Sequence, residues 1–211
     1  MPNVNRRLAA FAVAFGIGHH VGVLFDWLGS VGTTHWADWI DLAVPYAVVG
    51  LAVAVLAAAN ADRRAWVVLA IGGIAYTQGQ GIHLAANSIA RADPGDTAHL
   101  WDEVVGHHIW YGGLALVVAA LTLALEDRPM PASPWAYPLA VAFGLTVFTN
   151  DVEGGTAVLG IVTAILFIAW GLRRRRAGRL LVAAYGVALA GLVAWGLYWL
   201  GFPQFSELGW I

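Results

Sequence analysis

Seven apolar stretches, each close to the length of a membrane-spanning helix, make up most of this 211-residue chain. A helix needs about 20 mostly apolar residues to cross the hydrocarbon core of a bilayer. Of all the residues, 60% are hydrophobic and only 11% are charged, which is unlike the composition of a water-soluble domain. The sequence therefore predicts an all-α, polytopic protein of the cell membrane, with the lipid bilayer as its partner and a single domain over residues 1–211. The predicted spans are 8–29, 40–59, 66–89, 97–125, 134–150, 156–172 and 180–201.

The arginines predict the orientation of these spans. Ten of the eleven basic residues, all of them arginines, fall in loops on one side of the seven-span topology, and only Arg91 falls on the other. Because cytoplasmic loops carry the excess of basic residues, the amino terminus is predicted to be cytoplasmic and the carboxyl terminus extracytoplasmic. The four-arginine run at 173–176 is interpreted as an anchor at the inner boundary, and no nucleic-acid partner is expected.

All seven histidines fall in the predicted outer half of the protein. His19, His83 and His107 are each ten or eleven residues from the outer end of their spans, roughly 15 Å along the helix axis. Three imidazoles at one depth are a reasonable set of metal ligands. Glu103 lies one turn from His107 on the same face, so it is predicted to be a fourth ligand or a general base, with Asp151 as a second candidate base. Ionisable residues are costly inside a membrane, which favours a functional role for this layer.

A wider set of polar residues is expected to orient these ligands or to replace them. On the third predicted span, Tyr76, Gln80, His83 and Asn87 recur at steps of four, three and four, which places them on one stripe of a helix. His20 and His108 adjoin the predicted ligands His19 and His107. They are the substitute ligands if the helices are rotated about their axes relative to the prediction. Hydrogen bonding between helices, without any function, is the alternative interpretation for each of these residues. The full supporting set is Asp26, Gln80, Asn87, His20, His108, Tyr111, Asn150 and Glu153.

The residue types limit the chemistry of the predicted site. Histidine nitrogens combined with a carboxylate suit a transition-metal ion, zinc or iron first. The chain has no cysteine and only two methionines, which argues against a copper(I) site. It also has no lysine, which excludes a retinal Schiff base, and no His-Glu-x-x-His or Gly-x-Ser-x-Gly motif.

Three classes of function remain compatible with the sequence. The first is a metal-dependent membrane hydrolase or oxidoreductase that acts on a lipid or another hydrophobic small molecule. The second is a haem-binding membrane protein with two histidines as axial ligands. The third is a transporter or channel for metal ions or protons. A transporter needs polar residues that continue inward, whereas the third and fourth predicted spans become apolar below Tyr76 and Tyr111. This pattern favours an enzyme or a cofactor site over a transport pathway, and the residues alone do not decide between a metal ion and haem.

Overall fold

The computed structural model describes residues 2–129, 131, 133–174 and 178–210, and these residues form an all-α bundle. Two residues of the basic run, Arg175 and Arg176, lie outside the described residues. A 3-10 turn at Asp26–Leu28 leads into a two-stranded antiparallel ladder of β1 (Ser30–Val31) and β2 (Thr34–His35), and a π-helix covers Leu100–Gly106. The α-helices are α1 (Pro2–Gly18), α2 (Val21–Phe25), α3 (Trp36–Asp41), α4 (Val44–Ala59), α5 (Arg63–Ala92), α6 (Asp96–His99), α7 (His107–Leu125), α8 (Ala136–Glu153), α9 (Ala157–Arg173) and α10 (Gly178–Trp199).

Three helical stretches of the described chain are long and apolar enough to cross a membrane: Trp36–Ala59, Asp96–Leu125 and Gly178–Trp199. The first joins α3 to α4, and the second joins α6, the π-helix and α7. A fourth is added if α1 and the segment Val21–Leu28 together make one bent span. Helix α9 is apolar but shorter, at 17 residues. The seven-span count and the orientation of the termini therefore stay predictions.

The first predicted span is broken instead of continuous. Helix α1 ends at Gly18, and the chain resumes as a helix at Val21 after a bend of 61°. A Cβ atom at Gly18 would overlap the side chain of Val44, so a glycine is needed where the end of α1 meets α4. Because residues on either side of a break do not follow one helical phase, His19 and Asp26 do not share a helix face although they are seven residues apart.

Helices α5 and α7 lie in backbone contact, and this contact positions the site. A Cβ atom at Gly79 would overlap the backbone of Trp110, and a Cβ atom at Gly113 would overlap the backbone of Tyr76. Small residues allow this close approach between membrane helices, where van der Waals packing replaces the hydrophobic effect as the driving force. The polar stripe of α5 is thereby pressed against the first turns of α7.

Two helix ends differ from the prediction. Helix α6 begins at Asp96, one residue before the predicted span, with Gly95 in the N-cap position and no side-chain cap. Helix α8 continues to Glu153, three residues past its predicted end, which places Asn150 and Asp151 in the last helical turn. The side chains of Asn150, Asp151 and Glu153 therefore point in directions set by the helix and not by a loop.

Candidate metal centre

Two of the predicted ligands, His83 on α5 and His107 at the start of α7, face each other. Their ring centroids are 4.4 Å apart with an angle of 35° between the ring planes. Gly106 makes this approach possible, because a Cβ atom there would lie 3.0 Å from the backbone nitrogen of His83. The histidine pair is therefore a consequence of the same glycine-mediated packing that holds α5 against α7.

Asp102 completes the group, and reasoning from the sequence missed it. Its Oδ1 atom lies 2.5 Å from Nδ1 of His83, and the residue is only 7% exposed. The ligand atoms of His83, Asp102 and His107 all lie within 4.8 Å of one another. Asp102 was overlooked because the prediction assumed an α-helix, in which Glu103 and not Asp102 shares a face with His107.

The π-helix at Leu100–Gly106 accounts for this difference. Its hydrogen bonds join residues five positions apart, so it brings residues i and i+5 onto one face. Asp102 and His107 have this spacing. Short π-helical segments occur frequently at functional sites, and no signal in the amino-acid pattern alone marks this one.

The donor set fits a transition-metal ion. Nδ1 of His107 is buried and has no hydrogen-bond partner among the described protein atoms, so it is available as a ligand. Ligand atoms around a tetrahedral zinc ion with bonds of 2.0–2.1 Å lie about 3.3 Å apart. The three ligand atoms lie within 4.8 Å of one another, a separation comparable with that spacing.

Glu103 lies at the edge of this group. Its Oε2 atom is 3.5 Å from Nδ1 of His107 and accepts a hydrogen bond of 2.8 Å from Nε2 of Gln204. Gln204 belongs to the segment after α10, which contacts the π-helix through Glu103 and the end of α8 through Glu153. Glu103 is therefore held beside the metal ligands by a second contact, in a position suited to a base or to a fourth ligand.

The third predicted ligand, His19, lies on the other side of Trp110. Its Nε2 atom shares a hydrogen bond of 2.6 Å with the hydroxyl group of Tyr76. The ring stacks on Trp110 with centroids 5.0 Å apart, and Trp110 stacks in turn on His83 at 5.4 Å. The structure thus brings together two of the three predicted histidines and separates the third by an indole ring.

Several supporting residues have local partners. Nδ1 of His20 is 2.7 Å from the carbonyl oxygen of Gly16, and Nδ1 of His108 is 2.7 Å from that of Val104. Each of these two histidines thus bonds to the turn before it. Asp26 contacts Nδ1 of His35 at 3.1 Å near the surface.

The three polar residues at the end of α8 have separate environments. Nδ2 of Asn150 donates to the carbonyl oxygen of Thr146 at 2.7 Å. Asp151 is 3% exposed and accepts a 3.0 Å hydrogen bond from the hydroxyl group of Thr156. Glu153 accepts a hydrogen bond from the backbone nitrogen of Ser206. Asp151 therefore stabilises the turn between α8 and α9 and lies outside the group of three ligands.

The remaining supporting residues flank the pair of histidines. The Tyr111 ring is stacked against His107 with centroids 5.9 Å apart, and Asn87 is half-buried one turn beyond His83. Gln80 is completely buried one turn before His83. The stripe predicted on α5 therefore runs from buried Tyr76 to half-buried Asn87.

No protein-family model, curated protein or solved structure matches this chain. Two imidazoles and one carboxylate, within a bundle that contains helices able to cross a membrane, can hold a metal ion of the zinc or iron type.

Proposed function

We propose that this protein is a metal-dependent membrane enzyme whose metal ion is bound by His83, Asp102 and His107. The observation that carries this proposal is the convergence of their three ligand atoms within 4.8 Å. Two histidines and one carboxylate are the ligand sets of many catalytic zinc sites and of non-haem iron sites with open coordination positions. Glu103, held beside His107, is the general base that activates water or the substrate.

The proposed topology has seven spans with the amino terminus in the cytoplasm. Arginines from two predicted inner loops contact the same end of α4: Arg7 donates to the carbonyl oxygen of Ala54, and Arg128 donates to that of Ala59. The metal ligands belong to the other end of the bundle, near the end of α5 and the start of α7. This separation of charge from the site supports an extracytoplasmic location for the metal centre.

The proposed substrate is a lipid or another hydrophobic molecule that reaches the site from the outer leaflet. Large apolar side chains on the π-helix, Leu100, Trp101 and Val104, are each between 46% and 48% exposed. They occupy the same short segment that supplies Asp102 to the metal group. A substrate in the hydrocarbon layer therefore meets an apolar surface directly beside the ligands.

Two features favour an enzyme over the alternatives. A haem held by two histidines lies between their rings, whereas His83 and His107 are tilted side by side at 4.4 Å with Asp102 bonded to one of them. Below Tyr76 and Tyr111, the buried residues on α5 and α7 are apolar, as in Leu69 and Val117, except for Thr122, whose hydroxyl group bonds to the carbonyl oxygen of Val118 in its own helix. A transport pathway would need polar groups there.

The test is the metal content of the purified protein, measured by elemental analysis together with an absorption spectrum. We expect zinc or iron close to one ion per chain, its loss in His83→Ala, and its retention in His108→Ala. His108 is the matched control, because it adjoins His107 but bonds to the backbone outside the group. A Soret band, or equal metal content in both variants, would contradict the proposal.

A further inference from the structure

A cavity of about 300 Å³ lies where the ends of four helices meet, away from the metal group. Its lining comes from the first turns of α1, α8 and α10 and from the last turns of α7. The metal group belongs instead to α5, the π-helix and the start of α7. The volume is at the lower end of the range for small-molecule sites, about 300–1,000 Å³. The cavity is therefore large enough for a ligand and separate from the metal centre.

The walls of this cavity are mostly apolar. We call it the four-helix cavity and define it by the lining residues Leu8, Phe11, Leu121, Leu139, Phe143 and Leu181. Thr122 also lines it, but its hydroxyl group already bonds to the carbonyl oxygen of Val118 in its own helix. A water molecule at a buried site needs about two to four polar partners, and an apolar cavity stays dry. The four-helix cavity therefore suits an apolar occupant.

The four-helix cavity extends along the axes of its helices. Its lining runs from Ala136 to Phe143 on α8 and from Gly178 to Tyr185 on α10. These residues are seven positions apart in each helix, which is about 10 Å at the rise of an α-helix. The hydrocarbon layer of one leaflet is roughly 15 Å thick, half of the bilayer core. Most of an extended acyl chain therefore fits lengthwise in the cavity, with its polar end at the helix termini.

Arg6 gives the mouth of the four-helix cavity a positive charge. It lines the cavity beside Asn5 and is exposed, and within the described chain no hydrogen bond or ion pair engages its guanidinium group. Glu126 also lines the cavity, but its two carboxylate oxygens contact the indole nitrogen of Trp170 and the guanidinium group of Arg174. The charge of Glu126 is thus balanced and that of Arg6 is not, so the mouth favours an anionic group.

We propose that the four-helix cavity binds one acyl chain of an amphiphile whose anionic head group contacts Arg6 and Asn5. Basic pockets between membrane helices bind anionic lipid head groups in this way. In the proposed topology this end of the bundle faces the cytoplasm, where the membrane surface carries negative charge. A phospholipid and a free fatty acid share the required chemistry. The site goes beyond the proposed enzyme, because it needs neither the metal ion nor the substrate of that enzyme.

The test is photo-crosslinking of the full-length, metal-free protein in phosphatidylcholine vesicles that contain a trace of probe lipid. Each probe carries a diazirine at the end of an acyl chain, and its head group is phosphatidylglycerol, phosphatidylcholine or the free carboxylate of a fatty acid. Crosslinks to residues 181–185 on α10 are counted relative to those at Leu166, which is 64% exposed on α9 and serves as the reference for contact with bulk lipid.

We expect this ratio to be about fivefold higher for an anionic probe than for the phosphatidylcholine probe, as one basic residue at a membrane surface provides. If only one of the two anionic probes gives the higher ratio, that probe identifies the source of the chain. Equal ratios for all three probes would overturn the proposal. Because no metal is present, failure of the metal centre does not affect the result.

A pair of alanine variants assigns the crosslinks to the four-helix cavity. Ala140 lines the cavity on α8 and is 9% exposed, so the ring in Ala140→Phe takes up part of the space and crosslinking should fall several-fold. Ala142→Phe is the matched control, because Ala142 is exposed on the same helix and lies outside the lining. Unchanged crosslinking in Ala140→Phe would show that the chain binds elsewhere and would sink the proposal.

A second pair of variants tests the head group at the mouth. Arg6→Gln removes the unbalanced charge, so the preference for anionic probes should disappear. Arg64→Gln is the control, since Arg64 is an exposed arginine on α5 that does not line the cavity, and the preference should stay. A persistent preference in Arg6→Gln would contradict the proposal. Arg6 is exposed, so this pair decides the question even if Ala140→Phe does not fold.

Discussion

Asp102 and His107 are five residues apart, and the π-helix that joins them turns both side chains towards His83. In an α-helix, residues five apart point about 140° away from each other. The wider turn therefore replaces Glu103 with Asp102 as the carboxylate nearest His83. Asp102 and Glu103 therefore have different positions relative to the histidines, and substituting each one separately tests its role.

Asp102→Asn and Glu103→Gln are predicted to have different effects. Both substitutions remove one negative charge with little change in volume. Asp102→Asn should weaken metal binding by a factor of roughly 10–100 or more, as removal of a ligand or its orienting partner does. Glu103→Gln should leave most of the metal in place and lower activity through loss of the base. Metal titrations of the two variants measure this difference. Greater loss of metal in Glu103→Gln than in Asp102→Asn would show that Glu103 is the ligand, as the spacing of an α-helix predicts.

The sequence predicted the histidine pair because depth and helical phase are properties of regular helices. His83 and His107 were placed at one level by counting residues, and the structure brings them together. The same counting placed His19 at that level, but it assumed an unbroken first helix. The bend after Gly18 depends on packing against Val44, a contact between distant parts of the chain that residue spacing does not encode.

The all-α architecture was predictable for a similar reason, and its finer features were not. Apolar stretches of the right length mark helices whatever their neighbours are. The extra residue per turn in the π-helix and the return of Gln204 to Glu103 depend instead on tertiary packing. Both features determine where the carboxylates lie relative to the histidines. The choice between Asp102 and Glu103 as the metal ligand was therefore the part of the site least predictable from the sequence.

The contact between α5 and α7 predicts opposite effects for two adjacent glycines. Gly113→Ala should destabilise the protein by about 1–3 kcal/mol, since its Cβ atom would overlap the backbone of Tyr76. Gly112→Ala should be neutral or stabilising by up to about 1 kcal/mol, because no atom lies within 4 Å of its added Cβ atom. Thermal unfolding in detergent measures both. Equal melting temperatures would argue against backbone contact between these helices.

The bond between Gln204 and Glu103 predicts a modest role for the segment after α10. Gln204→Leu should lower the free energy of unfolding by about 1–2 kcal/mol, the cost of one lost hydrogen bond to a charged group. Metal content should stay unchanged, because Gln204 touches no member of the ligand group. Gln78→Leu is the control, as Gln78 is exposed on α5. Loss of metal in Gln204→Leu would instead make Glu103 a required ligand.

The proposed topology predicts that Gly95 and position 175 lie on opposite sides of the membrane. The basic residues near position 175 are expected in the cytoplasm, and the turn at Gly95 outside. Reporter fusions that are active on only one side of the membrane should therefore give opposite signals at the two positions. The same signal at both positions would contradict the seven-span count and the outward location of the site.

X-ray absorption at the edge of the bound metal tests the metal centre most directly, because it counts ligands by type. For zinc, we predict two imidazole nitrogens at about 2.0–2.1 Å and oxygen ligands at about 2.0–2.2 Å, with one imidazole fewer in His107→Ala. The His19→Ala variant should give the wild-type spectrum, since the Trp110 ring separates His19 from the ligands. Three imidazoles in the wild type, with one lost in His19→Ala, would contradict the assignment of His83, Asp102 and His107.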